Sequence, residues 1–109
     1  MKYLGIAAAM AMVVASGAAQ AVDPAAFRVA SDLGNLLASE SFCGLKYDQA
    51  AIQAFVAAKV PAADMSFTGM LSGSRTATEY QFKEMTPSDK TAHCTQTRRV
   101  ARAYKFIAD

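Results

Sequence analysis

DPAAFRVASDLGNLLASESFCG, residues 23–44, reads as one amphipathic helix with its start and its stop both written in. Asp23 can accept from the free N–H groups of a first turn, and Pro24 has the fixed φ suited to the first helical position. Phe27, Ala30, Leu33, Leu36 and Leu37 recur at helical spacing and predict a single apolar stripe. Cys43, seven residues after Leu36, continues that stripe, and Gly44 supplies the stop.

Downstream the same grammar repeats. Asp48 caps a second predicted helix that runs to about Lys59, with Ile52, Phe55 and Val56 on its apolar side and Pro61 forbidding continuation. Tyr47, just before the cap, is placed to staple against Ile52 or to pack beneath the loop. A third helix is expected from about Asp64 to Met85, with Phe67, Met70, Leu71, Ser74, Thr78, Phe82 and Met85 on one side. Gly69 and Ser72-Gly73-Ser74 weaken it, each interior glycine costing up to ~1 kcal/mol against alanine. A continuous or slightly kinked helix is favoured over a hinge near Gly73. Thr86-Pro87-Ser88-Asp89 then opens a fourth helix with a capping-box pattern. Cys94, Thr97, Val100, Ala101 and Tyr104 form its inner stripe, and Arg98, Arg99, Arg102 and Lys105 its basic side. The fold class expected is all-α, a compact bundle of about four helices.

Upstream, residues 1–21 have a different logic. Lys2 precedes an apolar stretch from Leu4 to Val14, and small residues lead to Ala19-Gln20-Ala21. That order is a signal peptide cut after Ala21, its apolar core too short to span a bilayer. No cysteine follows the cut, which argues against a lipid anchor. Residues 22–109 then form one domain of 88 residues. Lys2 leaves with the signal, so ten basic residues face nine acidic ones. A net charge near +1 gives no broad field for nucleic acid or for an anionic membrane.

Export gives the two cysteines their meaning. An even pair in a small exported chain reads as a structural disulfide, Cys43–Cys94, tying the first helix to the last. It closes a loop of about 52 residues, for which the chain-entropy estimate is ~4 kcal/mol. One histidine and two cysteines at this spacing match no zinc pattern, and no C-x-x-C is present for redox exchange. The chain also lacks a P-loop, a dinucleotide fingerprint and any acidic cluster with metal-ligand spacing. His93 is the sole histidine and is expected to be a surface or half-buried residue. The expectation is a protein without catalytic residues, metal or cofactor.

The basic side of the last helix is the sharpest surface feature. It reads as a solvated face that complements the helix dipole, or as a docking patch for an acidic protein partner or for a phosphate-bearing polymer or lipid. No aromatic platforms interleave with its charges, as single-stranded nucleic acid would require.

Phe42-Cys43-Gly44-Leu45, Tyr47 to Ile52, Lys90-Thr91-Ala92-His93-Cys94 and Arg98 to Ala101 resemble small exported helical proteins of α-proteobacteria, some of them named signal recognition particle. That likeness implies a fold and no catalytic motif. A looser likeness is to the periplasmic acid-stress chaperones, small helical proteins held by one disulfide. It implies acid-induced loosening and binding of unfolded clients. The sequence therefore predicts a periplasmic or secreted interaction protein, with an acid- or stress-conditional holdase as the alternative. Reduction of the disulfide should lower the melting temperature substantially, in keeping with ~4 kcal/mol of lost chain constraint; an unchanged melting curve in reductant, followed by circular dichroism, would contradict the staple.

Overall fold

The computed structural model describes residues 23–108, and the expected signal peptide, residues 1–21, lies outside them. Among the described residues the chain forms four helices: α1 (Pro24–Phe42), α2 (Gln49–Lys59), α3 (Phe67–Phe82) and α4 (Pro87–Ala103). None of them is long and apolar enough to cross a membrane.

The helix ends follow from short-range hydrogen bonding. Asp23 Oδ1 accepts from Ala25 N–H and Asp48 Oδ1 from Ala50 N–H, each at 3.0 Å. At α4 the capping box closes in both directions, with Asp89 N–H donating to Thr86 Oγ1 at 3.1 Å and Thr86 N–H to Asp89 Oδ2 at 3.4 Å. α1 ends in a Schellman turn. Gly44, at φ 68°, lets Leu45 N–H reach back to Glu40 C=O at 2.7 Å and Gly44 N–H to Ser41 C=O at 3.1 Å. α4 ends by the same turn without a glycine. Lys105 takes the left-handed conformation, also at φ 68°, and Phe106 N–H reaches Ala101 C=O at 2.8 Å. Burial of Phe106 against Ala101, both at 0 % exposure, offsets the strain of a side chain in that region.

α3 is continuous through Gly73 but shorter at both ends than the sequence suggests. Asp64 Oδ1 accepts from the N–H and hydroxyl of Ser66 at 2.9 and 2.7 Å, forming a turn that delays the helix to Phe67. Those two bonds also hold the Asp64 carboxyl below its ordinary pKa.

α1 is the central element, and its burial differs from a single stripe. Ala26, Ala30, Gly34 and Ala38, four residues apart, form a buried ridge of small side chains. That ridge faces α3. A Cβ built on Gly34 would lie 2.7 Å from both Cβ and Oγ of Ser74 and 3.0 Å from Arg75 N. Ser74 Oγ in turn donates to Ser31 C=O at 3.1 Å. Eight residues further along both helices, Phe42 and Phe82 stack with ring centroids 4.0 Å apart. The matched advance shows that α1 and α3 run parallel, with α2 in the connection between them. Phe27, expected on the inner stripe, is instead 55 % exposed, because the small ridge and not the bulky positions meets α3.

A second side of α1 carries Leu33 and Leu36 into the main core with Tyr47, Phe67, Ala101 and Phe106. Tyr47 lies beneath the loop as one of its two expected placements had it. Its hydroxyl donates to Leu36 C=O at 2.8 Å, and burial together with the nearby Glu40 pushes its pKa up to about 12. α2 has no fully buried residue and leans on this core through Phe55, whose ring lies 4.8 Å from Tyr104 and 5.8 Å from Phe106. Asp48 N–H donates to Phe106 C=O at 2.8 Å, which ties the start of α2 to the chain after α4.

The ridge makes a prediction with an internal control. Gly34→Ala should destabilise by ~1–3 kcal/mol through overpacking against Ser74. Gly73→Ala, with open space around the added carbon, should stabilise by ~0.5–1 kcal/mol. Thermal unfolding of both variants checks it; equal shifts in the same direction would remove the close approach from the account.

Candidate functional site

The candidate site residues lie at the C-terminal end of α1, along α4 and in the turn that follows it. Cys43, the C-cap of α1, is bonded to Cys94 in the middle of α4, with an S–S distance of 2.01 Å and Cα atoms 5.4 Å apart. Both sulfurs belong to buried residues. Such a bond fits an oxidising, non-cytoplasmic compartment. α4 runs back along α1 in the opposite sense: the end of α1 faces Lys90 to Arg98, while Asp32 and Leu36 share a groove with Thr97 and Tyr104.

Of the four expected partner-binding residues, Arg98, Arg99 and Arg102 lie within about one turn of α4, and Lys105 departs from them. Arg98 is half-buried and stands beside the disulfide. Arg99 and Arg102 are exposed on the outer side, and Arg99 donates from a guanidinium nitrogen to Gln96 Oε1 at 3.2 Å. Lys105 lies past the helix end in the Schellman turn, so its side chain turns toward the loop before α2, beside Lys46 and Asp48. Helical periodicity placed it on the stripe; the left-handed residue at the helix end removes it.

His93 has a setting that the sequence could not show. Its Nε2 is 2.8 Å from Oγ of Ser39, a hydroxyl at 1 % exposure. A hydroxyl has one proton, and Asn35 C=O lies 2.7 Å from Ser39 Oγ as a second acceptor for it. Nε2 donates to Ser39 Oγ when it carries the ring proton and accepts from it when Nδ1 does. The ring also meets the Phe42–Phe82 stack edge-on, at centroid distances of 6.2 and 5.2 Å, and Lys90 Nζ lies 4.6 Å over Phe42. Sequence reasoning had the half-burial of His93 but not Ser39, whose mid-helix serine gave no signal.

Burial lowers the pKa of His93. The sign of the linkage follows. The unfolded imidazole binds a proton more readily than the folded one, so this contribution to stability is present above the unfolded pKa of ~6.5. It is lost as pH falls through the lower folded value.

A groove of about 340 Å³ runs between α1 and α4 above this pair, with Asp32, Asn35, Gln96 and Thr97 offering polar edges over Leu36 and Val100. A second groove, of about 540 Å³, passes over the disulfide and has Lys90 and Arg98 at its sides. Among the described residues no three His, Cys, Asp or Glu side chains gather in a way that could hold a metal ion. No protein-family model matches the chain, and no curated protein or solved structure matches it either.

Proposed function

We propose that the chain is an exported, periplasmic or secreted helical binding protein, non-catalytic, that docks an acidic protein partner through the cationic side of α4. One observation carries the reading. Arg98, Arg99 and Arg102 project within little more than one turn of a helix that is capped at its start and bolted to α1 by the disulfide. A rigid scaffold lowers the entropic cost of using long cationic side chains as contacts. The signal-like N-terminus and the resemblance to small exported helical proteins support the compartment. Replacing Arg98, Arg99 and Arg102 by glutamate together should reduce recovery of partners co-purified from the periplasm by about tenfold or more, as expected when three contact charges are reversed. Unchanged partners at unchanged yield would remove the reading.

A second reading, the acid-conditional holdase, is favoured by the surroundings of His93. The groups facing it are Ser39 and Phe42 on α1, Phe82 on α3 and Lys90 on α4, with Asp32 in the adjoining groove. Protonating this ring in acid adds a second cation beside Lys90 at the point where α1, α3 and α4 meet. Nine carboxylates lose charge over the same descent while the basic residues keep theirs, so self-repulsion grows. Light scattering of an aggregating client should then show suppression at pH 4 and none at pH 7.5, with the onset moved to lower pH in His93→Gln. Equal scattering with and without the protein at pH 4 sinks the holdase.

A further inference from the structure

We infer that the groove over the Cys43–Cys94 disulfide is a seat for an extended acidic peptide segment, held at its two sides by Lys90 and Arg98. The inference rests on the acidic-partner reading and moves the contact from the outer face of α4 to one side of it.

The groove floor is the buried disulfide and the Gly44 turn, where a Cβ would meet nothing within 4 Å. Neither contributes charge. Among the described residues no carboxylate lines the groove, so its two cations face an approaching ligand without a counter-ion from those residues. Lys90 is held in place by its position 4.6 Å over the Phe42 ring, and Arg98 by its half-buried stem. They are eight residues apart on one helix, about 12 Å along the axis at 1.5 Å per residue. An extended chain rises ~3.3 Å per residue with side chains alternating, so carboxylates four residues apart share one face and span ~13 Å. That spacing fits both cations at once, which a single small anion cannot do.

Hydroxyls along the walls suit a peptide backbone. Thr91 Oγ1 gives its proton to Pro87 C=O at 3.1 Å and so offers an acceptor to a peptide N–H. Ser41 and Thr95 stand beside it. Aromatic geometry argues against a nucleic acid in the same place. Phe42 is the aromatic ring of this groove; one of its faces is stacked on Phe82 and Lys90 covers the other, which leaves no surface for a nucleobase.

The test is an amide-shift titration of the isotope-labelled, disulfide-intact protein at low salt. The probes are an acetylated Glu-Ser-Gly-Ser-Glu amide, its counterpart with both glutamates replaced by glutamine, and inorganic phosphate. The acidic peptide should shift Gly44, Thr91, Thr95 and Arg98. Lys90→Gln and Arg98→Gln should each weaken it about fivefold, the effect of losing roughly 1 kcal/mol of ion pairing. Lys90→Arg should retain binding, and Lys59→Gln, at the exposed end of α2, should leave it within twofold. Equal shifts from the glutamine peptide, equal affinity for inorganic phosphate, or no shifts at all would overturn the groove. Loss of binding in Arg99→Gln with Arg102→Gln but not in Lys90→Gln would overturn the groove while leaving the outer-face reading standing; the co-purification with the triple glutamate variant judges that reading separately.

Discussion

Where Gly34 of α1 meets Ser74 of α3, no room is left for a methyl group. That approach fixes the parallel pairing of the two helices and with it the position of everything packed around them. Because α1 spends its small residues on α3, its leucines are free for a different side, where Leu33 and Leu36 meet Phe67, Ala101 and Phe106. A third side carries Ser39 and Cys43 to α4. One helix thus presents three surfaces of different chemistry, and each recruits a different partner. Dispersion along the small ridge is individually weak but gains from the closeness that glycine and alanine permit.

Polar groups inside this arrangement are all accounted for among the described residues, with no buried side-chain nitrogen or oxygen lacking a partner. Tyr47 reaches a carbonyl of α1, Ser39 both a carbonyl and an imidazole. Such bonds add little net stability, yet breaking one would leave a desolvated group and cost more than the bond itself contributes. They select the native arrangement against alternatives in which α4 slides along α1. The disulfide acts on the unfolded chain instead, by removing conformations that a small domain would otherwise have to lose on folding.

These contacts give the chemically suggestive residues structural partners. His93 Nε2 shares a hydrogen bond with Ser39, whose hydroxyl also lies within reach of Asn35 C=O, and the cysteines are joined and buried. What faces solvent is charge on a stiff frame: Arg99 and Arg102 outward, Lys90 and Arg98 flanking the disulfide groove.

Local sequence by itself determined the four helices, the starts of α1, α2 and α4 and the stop of α1. Asp23, Asp48 and Thr86 cap, Pro24 and Pro87 initiate, Gly44 stops, and each acts through hydrogen bonds or dihedral limits that reach no further than a turn. The cysteine pairing was also legible, since two cysteines in an oxidising setting have one partner each. Only the tertiary structure decided which side of α1 meets which helix. A pattern of apolar spacing shows that a face is buried without saying against what, so Phe27 read as core while Ala26 and Gly34 did the packing. Lys105 and Phe106 were settled the same way: burial of a phenylalanine 0 % exposed bent the chain through a left-handed lysine, an energy balance between distant residues that no local signal carries. Ser39 and His93, 54 residues apart, became neighbours for that reason too.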